Sequence, residues 1–350
     1  MKKLNLLTLI LLLLTTTASI AQTYVIQARP WDSKEWGYIN LDGEYLIPPQ
    51  FRKCYEFSES GYAPIYEKKN GYYFININGE KLPTEISNFK LKQMFGFGTQ
   101  GFKEGMVPVL VNEKWGFLNE MGKLVIEPKY DKVSKFEEGY SIAKIGEQFF
   151  IVDRVGNEIL IQAPGIVDVR VFSEGMAPYK TKNGYYGFIG IDGNIKIGAQ
   201  YLSVGYFKLG VAWAKTKYET IGYLNISGEW VIQPQFFTVN DFDPETKLAK
   251  IKQEEKWVYL TLNGDIIEFN ESDVISEFYE GLAKGKKFNK FGFYNSNMEW
   301  IIAPKFDGVR NFKNGYAAAK QGGKWGIIDK QGNWIIEPIY SALKDVEKII

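Results

Sequence analysis

The chain has 350 residues, a net charge of +1, no histidine and one cysteine, Cys54. Without histidine there is no Ser-His-Asp triad, no Cys-His pair and no His-bearing metal motif, and one cysteine rules out an intramolecular disulfide. A balanced charge gives no electrostatic basis for nucleic-acid or anionic-membrane binding, while 22 Tyr, 24 Phe, 9 Trp and 35 Gly suit short strands joined by tight turns.

Residues 1–21 read as a secretory signal peptide. Lys2 and Lys3 precede an apolar run, Leu4 to Leu14, and small residues at Ser19 and Ala21 mark the cleavage site. The run is too short to span a bilayer. No cysteine stands at the cleavage site, so the expected product is periplasmic or surface-associated and is not a lipoprotein. Removing Lys2 and Lys3 takes the net charge from +1 to −1. Residues 22–350 then form one domain with no transmembrane segment.

After a strand-like stretch, "TYVIQA", the chain repeats itself. Units begin at Trp36, Tyr72, Trp115, Phe149, Tyr186, Ile221, Trp257, Phe291 and Trp325, at spacings of 36, 43, 34, 37, 35, 36, 34 and 34. Glycine often follows the first residue, as in Gly37, Gly116 and Gly326. Seven positions after the start stands another glycine, such as Gly122, with Met298 as the exception. "WGFLN" and "KLVIEP" read as strands joined by an N-x-x-G turn with its glycine at positive φ. The proline at Pro49, Pro128, Pro234, Pro304 and Pro338 is expected at a ladder end, because it lacks an amide donor. "F-x-E-G", as in Phe136 to Gly139, makes a second turn into a third strand. The opening aromatics are expected to form a buried column, with the following glycine leaving room for the next unit's ring.

These "K-W-G-Φ-Φ-[ND]-x-x-G-x-Φ-Φ-I-x-P-x-[YF]" units resemble the WG-containing repeat of bacterial proteins over nearly the whole of residues 22–350. The resemblance is sharpest at Trp36, Trp115 and Trp325 and weakest at Tyr72, Phe149 and Trp257. It implies a tandem-repeat, mostly β protein, often exported, and transfers no catalytic residue.

A three-stranded unit of about 35 residues cannot bury its own aromatic face and must stack on its neighbours. Nine such units are expected to form an open, curved β-solenoid. The alternative is a closed propeller-like ring, with the N-terminal strand completing the last unit.

The search for chemistry yields no catalytic, cofactor or metal residues. Cys54 reads as a small buried hydrophobe, and Glu137–Glu138 and Glu254–Glu255 as solvated turn charges. "DFDPETK" at 241–247 lacks EF-hand spacing. One interruption stands out: residues 83–102 carry a surplus of nine residues, with Met94, Phe95 and Phe97 in a Gly-flanked run. Insertions in repeat proteins gather on the binding face, so these side chains are expected partner contacts, the other reading being a patch over an irregular unit. Trp230, Trp300 and Trp334 stand at one equivalent position and are expected to form an exposed ladder. Tyr62, Tyr185 and Trp213 fall off the period and are further candidates for exposure. The expected function is a non-enzymatic scaffold binding protein in the cell envelope; the alternative is a module for cell-wall glycan.

Overall fold

The computed structural model describes residues 22–94 and 98–349. The expected leader, Phe95, Phe97 and the Met94 side chain lie outside the described residues. Among those described, every regular element is a β-strand, and no helix is long and apolar enough to cross a membrane.

The strands form eight four-stranded antiparallel sheets and two of two strands. A regular sheet runs in chain order. In one, Gly308–Val309 pairs with Tyr316–Gln321, then Lys324–Asp329, then Trp334–Tyr340. The unit therefore has four strands, not the expected three. In most sheets the fourth is a two-residue strand before "F-x-E-G", too short to announce itself in a hydrophobic pattern.

Both turns behave as their residues require. The Asn119 carbonyl accepts from Gly122 N at 2.9 Å, and its side-chain Oδ1 accepts from Met121 and Lys123 N at 3.0 Å each. Gly122 takes φ +75°, and Met298, the exception in sequence, is forced to +65°. In the second turn both central residues have positive φ, as in Glu138 (+55°) and Gly139 (+84°), a geometry that matches strand twist in two-residue hairpins.

The glycine after the opening aromatic has a different role from the one expected. A Cβ at Gly116 would strike the carbonyl oxygen of Ile126 in the adjacent strand of its own sheet, and Gly37, Gly187, Gly222, Gly292 and Gly326 are equally confined. The pairing explains it. Trp115 pairs with Tyr130 and Phe117 with Ile126, so Gly116 alone faces three residues, Glu127 to Lys129, across a bulge. Pro128 sits in that bulge, where no ladder donor is needed, and not at the strand end.

Nine apolar clusters bind the sheets, each drawn from two consecutive sheets. Eight of them hold the residue two places after the unit start and the "F-x-E-G" Phe of the next sheet, and the ninth has Val346 in place of the Phe. Seven of these pairs are aromatic with ring centroids 4.6–4.9 Å apart, including Tyr38–Phe57, Phe117–Phe136 and Phe293–Phe312. The buried column is thus Tyr38, Phe74, Phe117, Ile151, Phe188, Tyr223, Tyr259, Phe293 and Ile327, all at 0–1% exposure. The opening aromatics are mostly half-buried, and Trp257 is 40% exposed, which corrects the expected column. Alternation puts residues 115 and 117 on one face, but only the second reaches the centre of the seam.

An open array would leave its terminal strands unpaired. Here Thr23–Arg29 pairs with Ala342–Ile349 as well as with Trp36–Ile39, so the two ends of the chain share a sheet. The reason is local. Val346-Glu347-Lys348-Ile349 stands where other units have F-x-E-G, so the chain runs straight on instead of turning. The N-terminal strand takes the place of the partner that the turn would have delivered. A ninth cluster, with Ile26, Ala28, Leu343 and Val346 against Ala318 and Ile327, packs the first sheet on the last. This corrects the open solenoid in favour of a propeller-type arrangement.

Candidate functional site

The segments between one sheet's last strand and the next "F-x-E-G" turn recur in every unit. Several converge on a cavity of about 1070 Å³, lined by residues within 52–59, 99–103, 310–314 and 344–348, with Gln27, Trp36 and Lys135. Its wall therefore draws on both chain ends and on units far apart in sequence.

The wall carries eight Lys and Arg side chains against four carboxylates. Four of the cations have acidic partners. Asp345 holds Arg310, Glu347 holds Lys313 at 2.7 Å, Glu137 holds Lys135 at 2.6 Å, and Glu59 lies 4.0 Å from Lys103. Among the described residues Arg52, Lys53, Lys344 and Lys348 have none. Burial pushes the Glu347 carboxyl up to about 7 against the pull of Lys313. Burial also opposes charge on Lys313, yet Glu347, Glu56 and Asp345 together hold its ammonium above the ordinary lysine range.

Cys54 lies in the same wall, half-buried. Gln27 Nε2 donates to its carbonyl oxygen at 2.9 Å and to Sγ at 3.3 Å, and burial raises the thiol pKa, which leaves a poor nucleophile. The Tyr38 hydroxyl donates to the Tyr55 carbonyl at 2.7 Å and ties the wall to the core column. Gln100 is only 7% exposed, and its Nε2 has no hydrogen-bond partner.

A second cavity, about 350 Å³, is built from equivalent segments of later units and has the opposite character. Asp241, Asp243, Glu277 and Glu280 outnumber Lys208 and Lys250. Burial raises the Asp241 carboxyl, which accepts from Tyr206 N at 3.3 Å. No cluster of three or more Asp, Glu or Cys among the described residues could hold a metal ion.

The expected contact residues do not meet in one place. Trp230 packs edge-on against Tyr201 at 5.8 Å, Trp300 edge-on against Tyr294 at 5.6 Å and tilted against Phe269 at 5.4 Å, and Trp334 edge-on against Phe306 at 5.4 Å. Each half-buried indole covers a different seam with the preceding sheet, so the three form no exposed ladder. Of the other off-period candidates, Tyr185 is exposed, whereas Tyr62 and Trp213 are half-buried. In the insertion, Lys90–Leu91 supplies the fourth strand of its sheet, and Phe89 and Leu91 are buried. That part is structural.

Glu138 is more than a solvated turn charge. Its carboxylate accepts from the backbone N of Glu174 at 2.6 Å and of Gly175 at 2.8 Å, the same turn one unit on. Glu104 does this for Glu138 and Gly139, Glu174 for Leu209 and Gly210, and Glu280 for Asn314 and Gly315. The recurrence of "E-G" at 34–36-residue spacing was the available signal. By contrast, the Glu255 side chain is exposed beside Lys252.

Sheets in series, each packed on the next and joined through the chain termini, define a propeller-type tandem-repeat protein. The profile of the WG containing repeat matches residues 36–73, 115–149, 221–257, 291–325 and 325–348, and the chain belongs to the WG-containing repeat family. No curated protein matches the sequence. Among solved structures, it is similar to the dihydro-heme d1 dehydrogenase NirN in complex with DHE (10% identity, TM-score 0.48, 93% of this chain and 74% of that one). It is also similar to apo AztD from Citrobacter koseri (9%, 0.43, 93% and 98%). A third is PorZ, a surface component of the type-IX secretion system of Porphyromonas gingivalis (11%, 0.33, 88% and 50%).

Proposed function

We propose that this protein is a non-enzymatic scaffold, exported through its N-terminal leader, that holds a protein partner in the cell envelope. In this reading nine units close into a ring, and the partner docks over the basic cavity. The observation that carries it is the set of four unpaired cations, Arg52, Lys53, Lys344 and Lys348, gathered in one cavity of a chain whose overall charge is only +1. Such a local excess steers an oppositely charged partner and fixes its register. A non-catalytic role is supported by the raised thiol of Cys54 and by carboxylates already engaged with cations. The test is partner recovery from the envelope with the wild-type chain and with Arg52→Glu/Lys53→Glu. Loss of one co-purifying protein on charge reversal is the expected result. Equal recovery by both chains overturns the docking face.

A further inference from the structure

Resting on that docking face, we infer that the basic cavity binds an acidic peptide segment of its partner, and that the bound segment latches the two chain ends together. Volume is the first reason. At about 1070 Å³ the cavity stands at the upper end of small-molecule pockets, roughly 300–1,000 Å³, and suits a length of chain better than a single ion.

The second reason is the placement of charge. Arg52 and Lys53 lie on the segment after the first sheet, while Lys344 and Lys348 lie on the C-terminal strand. Carboxylates spaced along a chain can serve both groups at once.

The cavity's aromatic rings argue against a stacked sugar. Phe57 and Phe102 are buried at 3% and 6% exposure. The Trp36 ring is already covered by Arg29 at 5.2 Å and Lys344 at 5.8 Å. Tyr55 is half-buried in the same wall and leaves a single ring beside eight cations, so recognition rests mainly on charge and hydrogen bonds. Because the wall includes both termini, an occupant that bridges them stabilises the paired ends by mass action.

The experiment is calorimetric titration of the full chain with decaglutamate, with an oligouronate of equal charge and with decalysine. Decaglutamate is expected to bind one to one, more weakly as salt is raised, while the other two do not bind. Arg52→Glu/Lys53→Glu should weaken it by about tenfold or more. Lys344→Glu replaces the double variant if that one fails to fold. Equal binding of the oligouronate overturns the peptide assignment and leaves the docking face standing. So does the absence of peptide binding when envelope-partner recovery still depends on Arg52 and Lys53. If neither binding nor recovery depends on them, both readings fall.

Discussion

The seam between the Trp115 and Phe149 units and the seam where the chain ends meet perform one task with different chemistry. The internal seam is aromatic: Phe117 and Phe136 meet edge to face at 4.9 Å, and Glu104 grips the next turn through two backbone amides at 2.8 Å each. At the closing seam Ile327 and Val346 replace the rings, and no glutamate clamp is possible because there is no turn to grip. Ion pairs take over, Arg310 with Asp345 and Lys313 with Glu347, aided by Asn314 Nδ2 donating to the Val346 carbonyl at 2.8 Å. The chain crosses the closing seam as it crosses the others, running from Trp334–Tyr340 through Ser341 into Ala342–Ile349. The join without covalent support is the ladder between Ala342–Ile349 and Thr23–Arg29, which relies on strand pairing and packing alone.

That contrast can be broken from the closing side first. Deleting residues 342–350 removes Leu343, Val346 and Ile349, three buried side chains worth about 1.5–3 kcal/mol each. Urea denaturation should show a loss of about 5–9 kcal/mol, and a change under about 1 kcal/mol would mean the ends contribute little. Within an internal seam, Phe117→Ala should cost about 3–5 kcal/mol and the half-buried Trp115→Ala only about 1–2; the reverse order would restore the opening aromatics as the core column.

The closing seam should also respond to pH. Glu347 is raised by burial from 4.5 to about 7, with Lys313, Glu56 and Asp345 facing it. A carboxyl raised on folding contributes stability that is complete below about 4.5 and lost as pH rises through about 7. Amide exchange of Thr23–Arg29, corrected for intrinsic rates, should therefore speed up across that window by up to about 3 kcal/mol of protection. Glu347→Gln should flatten the response, and an unchanged profile in that variant counts against the assignment. The smallest effect belongs to the clamp. Glu138→Gln weakens two charge-assisted bonds and should cost about 1–2 kcal/mol by urea denaturation, while Glu255→Gln costs almost nothing.

What could be read from the sequence was local. Asn119 to Gly122 and Phe136 to Gly139 each carry their turn chemistry within four residues, so both turns were legible and both are present. The depth of a ring was not. Trp115 and Phe117 share a face, and only the packing of Phe136 from the next sheet makes the second of them the core residue. The bulge at Pro128 hid the purpose of Gly116, since the clash it avoids lies across a strand whose register the sequence leaves open. The basic cavity was illegible for a stronger reason: Arg52 and Lys344 are nearly three hundred residues apart and meet only because the chain returns to its beginning.

That return has a consequence in time. Thr23–Arg29 leaves the ribosome long before Ala342–Ile349, yet one of its edges is complete only when that later strand has been made. Until then the edge offers open backbone donors and acceptors to any passing strand. The wait spans the synthesis of every strand between the two. A companion that shields this early strand, or a delay that keeps it unfolded, would bear on yield more than any change within the later units.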